Sequence, residues 1–129
     1  NIHRHDAVPH DQVVSLVRSA DYGLCLVEKA SLSDYYCLPN KLFEYCFARV
    51  PVLASGFPEI RRLVEQYSLG ACCDPDPVSV RAALGQLTKR RAERVTSDIT
   101  ALSWEAQAAR LTAAYQEQLL APPSVRPGR

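Results

Sequence analysis

The chain has no methionine, not even at position 1, as expected of a piece of a longer product. Nor does it have an excess of charge of one sign. Fifteen Lys and Arg against fourteen Asp and Glu leave a formal +1, with the two signs interspersed. Such a chain sets up no field to steer a polyanion, so nucleic acid is not an expected partner. It lacks any apolar run near the ~20 residues that span a bilayer, and no charged-then-apolar leader opens it. Its five cysteines are an odd number with no C-x-x-C spacing, which argues against both a disulfide framework and a zinc site. A reducing, cytoplasmic compartment is the expectation. His3, His5 and His10 cluster near the start, yet no fourth ligand is evident, so neither a metal nor another cofactor is expected.

What is present suits a globular unit. An apolar share of 47% over 129 residues is enough for one domain with a real core. The densest basic stretch, Lys89-Arg90-Arg91 followed by Arg94, reads as a solvated helical face; a weak peripheral contact with the inner face of an anionic membrane is the alternative.

Short apolar runs alternate with amphipathic segments, the pattern of a parallel sheet flanked by helices, and the expected class is therefore α/β. Strands are expected at Ile2 to His5, Tyr22 to Val27, Val50 to Ala54 and Leu69 to Cys73. Helices are expected at Asp11 to Ala20, 40 to 48, Pro58 to Tyr67, Asp76 to Leu87 and Trp104 to Leu120, with Lys29 to Leu38 as a polar loop. The domain is taken as residues 1–120, and 121–129, rich in proline and basic residues, as a disordered tail.

The helix opening at Pro39-Asn40-Lys41-Leu42-Phe43-Glu44 carries most of the functional signal. Helical spacing puts Asn40, Lys41, Glu44 and Ala48 on one side, opposite Leu42, Phe43, Cys46 and Phe47. A lysine in a first turn opposes the macrodipole unless an anion shares it with the backbone N–H groups. Asn40 and Glu44 stand about 6 Å apart along the axis, roughly the reach from a diphosphate to its ribose. A carboxylate accepts from both vicinal hydroxyls. The plainer alternative makes Asn40 a cap, Glu44 a favourable acid at the positive end and Lys41 a solvated charge. Ligands in open parallel sheets bind beyond the carboxyl ends of the strands, which is where Ala7 to His10, Glu28 to Asn40 and Ser55 to Pro58 are expected to converge. Glu28 and Glu59 are further candidates there, Glu59 more simply as a first-turn acid, and Cys37 and Cys46 read as packing residues.

Taken together, "LPNKLFEYCFARVPVLASGFPEIRRLV" resembles the donor-binding half of GT-B glycosyltransferases, which pair two Rossmann-like domains around a nucleotide-activated sugar. The resemblance extends back through "VVSLVRSADYGLCLV" and forward through "LGACCDPDPVSVRAAL" and "SWEAQAARLTAAY". It implies a Rossmann-like, incomplete carboxy-terminal half of a GT-B fold, acting on a nucleoside diphosphate sugar in glycan or polysaccharide assembly. It implies that Glu44 holds ribose, that Lys41 and Asn40 face the diphosphate, that Ser31 to Tyr36, with Ser33 and Tyr36, border phosphate and donor sugar, and that backbone near Val8 meets the base. Many members carry a second glutamate eight positions before the ribose one; Tyr36 stands there in this chain. The amino-terminal acceptor domain and the first strands have no counterpart in the sequence, so the isolated chain is expected to be inactive. The helix bearing Trp104 resembles the family's closing helix, which packs back toward that domain. Two rivals fit less well. A flavodoxin-like phosphoacceptor module needs acids and magnesium at strand ends, where Val27 and Ser55 occur instead, and a sugar-nucleotide epimerase of the same fold would carry a serine-glycine-glycine loop not found here.

Overall fold

The structure, a computed structural model, describes residues 2–89 and 93–120. The expected tail at 121–129 and the Arg90-Arg91 pair lie outside the described residues. The chain divides into two compact units, Asn1–Ser97 and Asp98–Arg129.

The first unit is α/β. Its elements run α1 (His10–Val17), β1 (Gly23–Cys25), α2 (Leu32–Tyr35), α3 (Asn40–Phe47), β2 (Val52–Ser55), α4 (Pro58–Gln66), β3 (Gly70–Cys73) and α5 (Pro77–Lys89). The three strands form one open parallel sheet in the order β1-β2-β3, flanked by helices and compatible with a Rossmann-like fold. Gly23, Val52 and Gly70 are in register, as are Cys25, Ala54 and Cys72, so these residues share one face. Leu53, Ala71 and Cys73 point to the other, where α5 covers them with Val80, Ala83 and Leu87. On the first face α3 approaches β1 so closely that a Cβ on Gly23 would come within 2.5 Å of the Tyr45 ring. Strand β2 is central and buried at all four positions, as its continuous apolar run requires.

Local chemistry explains the helix ends. Asp76 accepts from the backbone N–H groups of Val78 and Ser79 at 2.9 Å each, capping α5 ahead of a proline in its first turn. Helices α3 and α4 both close by bonding the second residue past the cap back to the last turn, Val50 N to Tyr45 O and Leu69 N to Val64 O, each at 2.9 Å. That closure needs a left-handed residue, and Arg49 (φ 62°) and Ser68 (φ 49°) take it where glycine is usual.

Several boundaries move. Ile2 to His5 form no strand: Ile2 is fully exposed and the segment pairs with nothing in the sheet, since one apolar residue in four offers too little to bury. Lys29 to Leu38 is not all loop, because Ser31 caps the short helix α2 by accepting from Asp34 N at 3.2 Å and donating to the Asp34 carboxylate at 2.7 Å. That serine-x-x-acid spacing was readable as a capping box. Ala48 leaves the polar face of α3, being fully buried at the cap where the chain turns toward β2.

In the second unit, a 3-10 turn at Thr100–Leu102 leads into α6 (Trp104–Leu120). Trp104, Leu111, Tyr115 and Leu119 form one stripe on α6 and are 83%, 61%, 64% and 82% exposed. Among the described residues no helix is long and apolar enough to cross a membrane.

Candidate functional site

The carboxyl ends of β1 and β2 are tied together by a buried serine. Ser55, at the end of β2, is fully buried; its Oγ accepts from Val27 N at 2.7 Å and donates to Val27 O at 2.9 Å. One hydroxyl thus satisfies both backbone groups of the residue that launches the loop toward α2. Ser55→Ala should cost about 1–3 kcal/mol, because it strands both Val27 groups away from water. Urea denaturation gives the loss, and amide exchange should quicken at Val27 to Lys29; stability within a few tenths of a kcal/mol of the parent would contradict this role.

Helix α3 starts from this rim. Pro39 occupies its cap position, no side chain caps it, and its first turn contains no acid. Asn40 is therefore the first helical residue, not the cap that the plainer alternative made it. The backbone N–H groups of that turn and the Lys41 ammonium leave a positive end that no carboxylate among the described residues pairs with. Lys41 is exposed and, among the described residues, makes no ion pair; both described pairs, Arg61 with Glu65 and Arg62 with Glu59, lie on α4. Its charge nevertheless acts on the Cys25 thiol at the end of β1. Burial pushes that thiol up to about 11, with the Lys41 charge opposing the rise. Glu44, one turn on, is half-buried and its carboxylate makes no hydrogen bond or ion pair among the described residues. The inner face of α3 is anchored by Leu42 and Cys46, both fully buried.

The loop before α3 contributes an aromatic cluster that the sequence reading missed. Lys29 Nζ lies 4.2 Å above the centre of the Tyr35 ring, a cation–π contact. Tyr35 packs against Phe57 at 5.1 Å and edge-on to Tyr36 at 5.0 Å. Through Tyr35 and Phe57 the α2 loop meets the turn that starts α4. Tyr36 is 57% exposed, and Ser33 is exposed on α2. No spacing rule joins Lys29 to Tyr35 or Tyr35 to Phe57, since folding alone makes them neighbours. The structure thus sets Lys41 near the end of β1, through Cys25, and the α2 segment against Phe57 just past the end of β2.

The remaining candidates differ in their surroundings. Val8 is half-buried in the segment before α1, with no strand beneath it, so the topological reason for setting 7–10 on the rim lapses. Glu59 is engaged by Arg62, whose Nη2 donates to its carboxylate at 2.7 Å, in the structural role a first-turn acid ordinarily has. Cys46 is a packing residue, and Cys37 is half-buried.

Two cavities lie elsewhere, one beside the carboxyl ends of α1 and α3 and one along β3 and α4. One, of about 570 Å³, is lined by Arg18, Ala48, Arg49, Arg94, Val95 and Thr96. The other, of about 790 Å³, adjoins it through Arg94 to Thr96 and reaches Tyr22, Pro51 and Gly70. Asn40, Lys41, Glu44, Ser33, Tyr36 and Val8 line neither, whereas Arg94 of the basic stretch lines both and Lys89 lines the second. Compared with models of protein families, with curated proteins and with solved structures, the chain matches none.

Proposed function

We propose that the chain is the donor-binding portion of a GT-B glycosyltransferase, taking a nucleoside diphosphate sugar at the amino end of α3. The observation that carries this reading is the pairing of an uncapped, acid-free helix start with an exposed Lys41 that no carboxylate among the described residues neutralises, one turn before a Glu44 without a partner among them. In this reading the helix end and Lys41 hold the diphosphate and offset the charge that builds on it as the glycosidic bond to the donor breaks. Glu44 accepts from the ribose hydroxyls and fixes the nucleotide in register, and Ser33 and Tyr36 border the sugar.

Exposed apolar surface supports a larger parent assembly. Leu24 and Leu26 are 54% and 43% exposed, and the outer edge of β1 pairs with no strand among the described residues. A parallel strand is ordinarily buried on both faces, so further strands and a covering helix fit against β1. The apolar stripe of α6 fits the same reading, as the surface that meets an acceptor-binding domain. The phosphoacceptor alternative gains no support, since the hydroxyl of Ser55 is spent on Val27 where such a module needs a carboxylate.

Calorimetric titration with UDP, GDP and ADP tests the reading. Glu44→Ala should weaken the preferred nucleotide about 10-fold or more, the worth of charge-assisted hydrogen bonds to two hydroxyls, and should lose little further affinity for the 2′-deoxy form. Lys41→Ala should weaken the diphosphate far more than the bare nucleoside. Equal affinities for parent and both variants would refute the assignment.

A further inference from the structure

We propose that the cavity beside the carboxyl ends of α1 and α3 is an oxyanion site, in which Arg18, Arg49 and Arg94 hold a phosphate group. The three arginines come from separate segments: the carboxyl end of α1, the left-handed residue closing α3, and the strap after α5. They line one cavity of about 570 Å³, and no Asp or Glu lines it with them. Two of the three are held in place by backbone. Arg94 donates to the carbonyls of Ala20 at 3.2 Å and Arg18 at 2.9 Å, and Arg49 donates to Ser97 O while its own carbonyl accepts from Val95 N at 3.1 Å. Arg18 makes no side-chain hydrogen bond or ion pair among the described residues.

These backbone bonds use only part of each fork, because a guanidinium carries about five N–H donors. Neutral carbonyls orient the arginines without cancelling their charge, so three like charges border one concavity that no Asp or Glu lines among the described residues; Glu65 and Glu93 line the adjoining cavity. Solvent screening makes that tolerable when the cavity holds only water, and a bound oxyanion makes it favourable. Three arginines drawn from separate segments suit the several equivalent oxygens of a phosphate better than a planar carboxylate, which one fork already satisfies. Thr96 lines the cavity beside them. The cavity exceeds a lone phosphate ion in size, which fits a phosphorylated small molecule or a lipid headgroup. The site stands at the opposite end of α3 from Lys41 and does not depend on the nucleotide reading.

The test is a phosphate titration of the isotope-labelled chain, followed by its amide NMR spectrum at constant ionic strength. Saturable shifts are expected at Arg49, Val95 and Thr96. Arg18→Ala, which removes a side chain without a hydrogen-bond or ion-pair partner among the described residues, should weaken them at least fivefold; Arg81→Ala on exposed α5 and Lys41→Ala should leave them unchanged. Co-sedimentation with phosphatidylglycerol vesicles, but not phosphatidylcholine vesicles, and its loss in Arg18→Ala would identify a lipid headgroup as the source. Phosphate binding without vesicle binding would identify a free phosphate compound. Absence of saturation at these three amides, or identical curves for the parent and Arg18→Ala, would overturn the proposal.

Discussion

Gly70→Ala should leave the first unit without a stable fold. Gly70 opens β3 with φ 154°, and a Cβ there would run into the carbonyl oxygen of Val52 and lie 2.6 Å from its nitrogen. Val52 is the register partner of Gly70 on the central strand, and its N–H already donates to Leu69 O at 2.9 Å. The obstruction is backbone, so no rotamer change relieves it, and either the β2–β3 ladder opens or β3 shifts register. An unfavourable φ costs about 1–2 kcal/mol and forced overpacking about 1–3 more, against the 5–15 kcal/mol total typical of a domain. Circular dichroism on heating should show a transition lowered by 10 °C or more, or none that is cooperative. Gly85→Ala provides the control, because a Cβ there meets nothing within 4 Å and α5 should be unchanged or slightly firmer. Equal melting of Gly70→Ala and the parent would show that β3 does not pair with β2 in this register.

Alkaline pH should unfold the chain through its buried thiols. Cys25 and Cys46 are fully buried, and burial pushes each thiol from 9.0 up to about 11. The charges of Lys41 and Arg49 oppose those rises without cancelling them. The acid form is thus the one the fold holds, so the stabilisation is fully present below the unfolded value near 9 and is lost as pH climbs through the folded value near 11. Each thiol contributes on the order of 2 kcal/mol across that window, at 1.36 kcal/mol per pH unit. Denaturant midpoints measured at pH 8, 9, 10 and 11 should stay level at first and then fall steeply. Cys25→Ala should start lower, from the lost packing, and decline less steeply. A midpoint independent of pH up to 11 would mean that the thiolates are accommodated in the folded chain. The same burial predicts slow reaction of both thiols with alkylating reagents, since the thiolate is the reactive form.

The α/β class, the parallel order and the centres of α3, β2, α4, β3, α5 and α6 were legible because each repeats a local pattern. Ile60, Leu63 and Val64 recur at helical spacing, and the uninterrupted run ending at Ser55 is long enough only for a strand buried on both sides. Where the reading missed, tertiary context decided. The Ile2 to His5 segment looked like a strand locally, but a strand exists only with a neighbour to pair, and the sheet provides none for it. Ala48 followed the helical face in projection and was buried by the turn into β2. The capping box at Ser31 was local and could have been seen.

The sequence by itself determined that a helix opens at Pro39 to Glu44 with Asn40, Lys41 and Glu44 on one side and Leu42 and Cys46 on the other, because helical spacing is a property of adjacent residues. Only the tertiary structure decided that Ser55 serves Val27, that Lys29 rides on Tyr35, and that Arg18, Arg49 and Arg94 meet in one cavity. Those partners are separated along the chain by distances no period encodes, and packing of the sheet and its helices brings them within reach.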